Sequence, residues 1–144
     1  RTFKLVTDPP KERFRFTVNY HLQIPNHIPI TVDAVNGKLQ IDGDFGKVAI
    51  DMVNADIILN GQTVNGMIDA VNADVDIESE EIENLAVDCV NGDVEIIVNQ
   101  GEMDMDIDTV SAKKTIENID IKKSASGKLD ISLTNGSVYV KGNR

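Results

Sequence analysis

The sequence predicts an all-β fold, a parallel β-solenoid (a single-stranded β-helix) of about six coils with an N-terminal strand as its cap. Three observations predict it. A hexapeptide recurs as VDAVNG (32–37), IDMVNA (50–55), IDAVNA (68–73) and VDCVNG (87–92), with weaker copies IDTVSA (107–112) and ISLTNG (131–136). The Asn position of these copies advances by 18, 18, 19, 20 and 24 residues, too short a period for two helices and suited to one strand-turn-strand coil. On both sides of each copy, apolar residues recur at every second position, which is the period of a strand.

Residues 1–30 form the first section and hold three of the four Phe and all four Pro. Here Phe14, Phe16, Val18, Tyr20, Leu22 and Ile24 alternate with Arg15, Thr17, Asn19, His21 and Gln23, the pattern of a half-buried strand. Pro25 and Pro29 bracket a turn that stops it. This aromatic strand is expected to cap one end of the stack. Residues 31–144 carry the solenoid repeats, and the two sections make one structural domain.

Side chains alternate across a strand, so each copy sorts into columns. The inward columns are Val32, Ile50, Ile68, Val87, Ile107 and Ile131, and Ala34, Met52, Ala70, Cys89, Thr109 and Leu133. Past the turn, Leu39 and Ile41, Ile57 and Leu59, Val75 and Ile77, Val94 and Ile96, and Val138 and Val140 repeat the alternation. The less regular remainder of each coil reads as a return turn, with Phe45, Val64 and Ile82 dipping inward. The glutamate-rich return at 78–84 is compatible with a single helical turn, and β-branched residues and turn dipeptides break every other helical window. Lys113 and Lys114 stand where other copies place a turn residue and an aliphatic, so a bulge or longer loop is expected there.

Asn suits the corner because it tolerates positive φ, as Gly does freely. Stacked corners also let side-chain amides bond from coil to coil, as in the Asn ladders of cross-β stacks. At the far end, Leu129 to Val140 finish the stack with no visible second cap. A partner, a homo-oligomer through the C-terminal coil or a further segment of chain is expected to cover that end.

Bulk properties narrow the function. The formal charge of −10 repels phosphate backbones, which argues against nucleic acid as a partner. The lone Cys89 excludes an internal disulfide and a thiolate metal cluster. No run of 18 apolar residues exists, so no membrane-spanning segment is expected. The chain opens on Arg1 rather than Met, and an upstream segment is expected.

The sharpest candidate site is an acidic ladder for a cation or cationic peptide. Asp33, Asp51, Asp69, Asp88 and Asp108 fall on one outward column, and Asp56, Asp74 and Asp93 on a parallel column past the turn, with Asp76 and Glu95 nearby. Carboxylates stacked ~4.8 Å apart repel, so the array would gain from a bound positive charge. Calcium takes six to eight oxygen ligands, but the Gly-Gly-x-Gly-x-Asp repeat of calcium-binding β-rolls is absent. A solvated acidic face that keeps sheets from associating is the simpler reading. His21 and His27 lack a third ligand and read as surface histidines. Cys89 sits in an inward column and reads as a buried, inert thiol. No Gly-x-Ser-x-Gly elbow, P-loop or zinc spacing appears, so no catalytic residue, metal or cofactor is assigned.

Two segments, HLQIP (21–25) and ITVDAVNGKLQIDG (30–43), followed by the repeated corners, resemble the bacterial β-strand-repeat family of adhesin-type domains, whose function is unknown. The resemblance spans roughly residues 14 to 140 and departs in using Val-Asn-Ala as often as the Gly corner. It implies a cell-envelope or extracellular setting, beside stress-response systems in some members, with the cytoplasm as the alternative, and no catalytic residues to carry over. The expected function is a non-catalytic, envelope-associated binding or scaffold module, adhesin-like or stress-related, for a protein, peptide or cell-surface partner. The alternatives are a carbohydrate-active β-helix protein, disfavoured by short loops that leave little room for a cleft, and a self-assembling structural subunit.

Overall fold

The computed structural model describes residues 21–99, 104–119 and 128–142 of the 144-residue chain. Six strands follow one another: β1 (Ile30–Ala34), β2 (Gly37–Asp42), β3 (Val48–Asn91), β4 (Val94–Val98), β5 (Asp104–Ile119) and β6 (Lys128–Gly142), with no helix among the described residues. They form one sheet in the order β1-β3-β4-β5-β6, with β2 also paired to β3. Every pairing is parallel. The glutamate-rich stretch 78–84 belongs to β3 and makes no helical turn.

The register reproduces the spacing of the repeat. Ile30 pairs with Val48 and Gly37 with Ala55, then Val75 with Val94, Leu85 with Met105 and Asp104 with Lys128. Each residue therefore lies over its equivalent one coil later, and the chain is a parallel β-solenoid. It winds about four turns, fewer than the six expected. β5 and β6 stack onto this winding in parallel register.

Each coil has a side A before the Asn corner, a side B after it, and a return. The lengthening of the repeat falls in the returns. Pairing advances by 20 residues up to Ile97 and Glu117, and by 24 from Asp104 and Lys128. Sides A and B must keep their columns of core side chains aligned, whereas a return has only to close the turn. The bulge expected at Lys113 and Lys114 is not found: Lys114 pairs in register with both Val94 and Val138. The irregularity comes later, between Glu117 and Ile119, at the exit from side B.

Two corner conformations serve one repeat. At the Asn-Ala corners the Asn takes the left-handed conformation, with φ 55° at Asn54 and 54° at Asn72. At the Asn-Gly corners the glycine takes it, with φ 151° at Gly37 and 137° at Gly92. Alanine would be strained at such a φ, so the residue after Asn decides which of the two turns. Both Asn-Ala corners lie within the 44 residues of β3, while Gly37 and Gly92 stand at strand boundaries. The expected amide ladder is present. The Nδ2 of Asn54 donates to Oδ1 of Asn36 at 3.0 Å, Asn72 to Asn54 at 3.0 Å, and Asn91 to Asn72 at 2.9 Å.

The core is aliphatic and lies along the axis. Val48, Ile50, Met52, Ile57 and Leu59 are buried, and Ile68, Val75, Ile77, Val87, Val94, Ile96 and Ile107 continue the columns. Phe45, Val64 and Ile82 are buried from the returns as expected. Phe45 lies over Gly61, where a Cβ would come within 2.9 Å of the ring. In the first coil, Ile30, Val32, Ala34, Leu39 and Ile41 are only partly buried, because no described coil lies above them. Of the expected cap, residues 14–20 lie outside the described residues; His21 to Pro25 carry no strand, and Leu22 and Ile24 are 66% and 40% exposed. Thr109 occupies an inward column with its Oγ1 buried and without a hydrogen-bond partner.

Three substitutions test this geometry. At Gly92 a Cβ would sit 1.8 Å from the carbonyl oxygen of Ala73, whereas at Gly37 nothing lies within 4 Å. Gly92→Ala is expected to lower unfolding free energy by about 2–3 kcal/mol and Gly37→Ala by about 1 kcal/mol, measured in urea. Equal effects would show that the two corners are not distinguished by the coil beside them. Thr109→Val removes the unpaired hydroxyl at nearly constant volume and is expected to raise stability by about 1 kcal/mol. A lowered urea midpoint would mean that the hydroxyl is satisfied in solution.

Candidate functional site

The acidic ladder forms where the column assignment puts it. Asp33 pairs in register with Asp51, and Asp88 with Asp108. Between them, each aspartate precedes its ladder asparagine by three residues. The bonded series Asn54, Asn72 and Asn91 therefore also stacks Asp51, Asp69 and Asp88. All five aspartates are exposed on side A. On β6 the column ends, because Asp108 pairs with Ser132.

The second column behaves differently. Asp56, Asp74 and Asp93 are exposed on side B, but Lys38 pairs in register with Asp56. At the far end Lys113 follows, next to Lys114, the register partner of Val94. The run of acids is thus bounded by a lysine position at each end. The carboxylate of Asp74 also accepts the backbone N–H of Asp93 at 3.0 Å, which ties it to the next coil. Asp76 pairs with Glu95 in the next outward column of side B.

Side A carries no such compensation. Residues 30–36, 48–54, 66–72, 85–91 and 105–111 contain neither Lys nor Arg. Two unit charges 4 Å apart repel by about 1 kcal/mol in water, and salt screens this over about 8 Å at physiological strength. A column of five carboxylates at strand spacing is therefore a surface that costs stability and gains from a positive partner.

The remaining candidates have structural roles. His27, at φ 59°, donates its backbone N–H to the carbonyl of Asp44 at 3.0 Å, and its Nε2 lies 3.3 Å from the Asp44 carboxylate. It ties the entry segment to the first return. His21 is exposed. Cys89 is fully buried, and its thiol donates to the carbonyl of Ala73 at 3.4 Å. Burial first, then the charges of Asp74 and Asp88, push this thiol's pKa up, which disfavours the reactive thiolate. Among the described residues, no group of three or more His, Cys, Asp or Glu is placed to hold a metal ion. No helix among them is long and apolar enough to cross a membrane.

The column reading left one surface feature unremarked. Val35, Val53, Val71, Val90 and Val110 follow each aspartate by two residues and so face outward beside it. Their parity relative to Val32 and Ala34 was visible in the repeat, but apolar character drew attention to the inward columns. The polar links from Asn60 to Asp42 at 2.7 Å, at the end of side B, and from Asn65 to Glu83 at 2.7 Å, between returns, had no such signal, because neither pair repeats along the stack.

No family model, curated protein or solved structure matches the chain.

The repulsion along side A has a measurable sign. Asp69→Asn removes the middle charge and keeps the side chain's size, so it is expected to stabilise by about 0.2–0.5 kcal/mol at low salt. The gain should fade in molar salt. Destabilisation at low salt would show that the column is already neutralised by contacts of its own.

Proposed function

We propose that the chain is a non-catalytic binding or scaffold module, adhesin-like in kind and belonging to the bacterial cell envelope, which presents side A to a cationic partner. One observation carries this reading: five exposed aspartates stand in register on a face whose segments, 30–36, 48–54, 66–72, 85–91 and 105–111, hold no Lys or Arg. A rigid sheet holds the charges at fixed spacing without a ligand, so binding requires no ordering of the site. The envelope setting rests on the resemblance of residues 14 to 140 to the adhesin-type repeat family. Electrostatic complementarity of this type speeds encounter and weakens steeply with salt.

A second reading draws support from the sheet order, in which β6 stands at one end and has a single strand partner among the described residues. A strand so placed suits self-association through the C-terminal coil. Sedimentation that shows one monomeric species at every concentration would dismiss it.

The binding reading is tested by calorimetry with polylysine and, separately, with calcium. Polylysine is expected to bind at low salt, to weaken as salt rises, and to lose affinity at least about tenfold in the triple variant Asp51→Asn, Asp69→Asn, Asp88→Asn. Absence of heat with either probe at low salt, or undiminished affinity in that variant, would overturn the proposal.

A further inference from the structure

The partner of side A can be specified further, in an inference that rests on the binding reading above. The carboxylate column does not stand alone. On one flank runs the valine track, with Val35 63% and Val110 43% exposed at its ends and Val53, Val71 and Val90 half-buried between them. On the other flank, two residues before the three central aspartates, stand Ala49, Met67 and Ala86, with Met67 55% exposed; Thr31 and Asp106 take that position at the two ends. Asp51, Asp69 and Asp88 therefore project between apolar neighbours on both flanks.

Strand propensity does not account for the valines, because threonine satisfies the same backbone preference on a solvated face. β6 shows the substitution. There Ser132 takes the aspartate position and Thr134 the valine position, so the aspartate column and the valine track end at the same strand, while Asp130 continues the neighbouring column from Asp106. On side B, acids are bounded by lysine positions and no outward apolar column runs through the stack. The aspartate column and the valine track run side by side on side A, as expected of a single docking surface.

We propose that side A docks a basic amphipathic helix, whose row of Lys or Arg faces the aspartate column while its apolar row lies on the valines. The spacing favours a helix lying along the solenoid axis. Helical turns repeat every 5.4 Å and coils every ~4.8 Å, a mismatch of about 0.6 Å per step that a flexible lysine stem absorbs. An extended strand along the axis repeats side chains every ~6.6 Å and loses register by nearly 2 Å per step. Two residues along a strand separate the columns by about 7 Å, within the 10–12 Å breadth of a helix. Apolar flanks shield the ion pairs from water, which strengthens them relative to pairs on an open charged face.

The experiment uses the full chain and two labelled peptides of the same Lys and Leu composition. One sets Lys and Leu in separate helical rows; the other scrambles them. Fluorescence anisotropy at low salt is expected to show the amphipathic peptide binding at least about tenfold tighter, and circular dichroism is expected to show it gaining helix on binding. In the triple variant Val53→Thr, Val71→Thr, Val90→Thr this advantage should vanish while polylysine affinity stays unchanged, with the urea midpoint confirming that the variant folds. Equal affinity for the two peptides, a bound peptide without helix, or an advantage that survives the threonine variant would overturn the helix inference and leave the cationic reading standing. Failure of polylysine and both peptides to bind would remove that reading and this one together.

Discussion

Everything in this molecule depends on parallel pairing at a constant offset. Once Ile30 lies over Val48 and Gly37 over Ala55, the identity of a residue is copied along the axis. Aliphatics then meet aliphatics and build a core, asparagines meet asparagines and build a ladder, and aspartates meet aspartates and build a charged column. The first two consequences stabilise the stack and the third opposes it. A shift of one residue would exchange the inward and outward sets on every strand, so the offset is held by the whole core at once. This is why added residues enter the returns and leave sides A and B untouched.

The corners show how such a stack tolerates sequence drift. Asn54 and Asn72 take the left-handed conformation themselves, whereas at 36–37 and 91–92 the following glycine takes it. Both solutions keep the side-chain amide within bonding distance of the coil before it. The repeat therefore conserves a position in space while the backbone reaches it by two routes. At the fifth corner Ser111 replaces the amide, and backbone bonding persists there, from the Gly92 N–H to the Ser111 carbonyl at 3.3 Å.

Much of this was legible because period-two alternation and an 18-residue repeat are both direct statements about geometry. The inward columns, the amide ladder and the burial of Phe45, Val64 and Ile82 followed from position alone. At Lys113 and Lys114 residue type points to broken pairing, yet the pairing is intact. Strand pairing is made by the backbone, and Lys114 keeps its register whatever side chain it carries. The aspartate column was legible for the same reason as the core, but its purpose was not, since a repeated charge reads alike as a solvated face and as a binding face. Lys38 beside Asp56, and the absence of lysine from side A, distinguish the two acidic columns only when the coils are placed over one another.

The amide ladder also has a direction. Each asparagine donates to the coil before it, so Asn91, Asn72, Asn54 and Asn36 form a one-way relay of aligned dipoles down one edge of the molecule. The two ends are thereby chemically unlike: the leading edge offers hydrogen and the trailing edge a lone pair. Any extension of the relay must arrive with matching polarity, so the spiral is vectorial, in the manner of a thread that accepts a nut from one side.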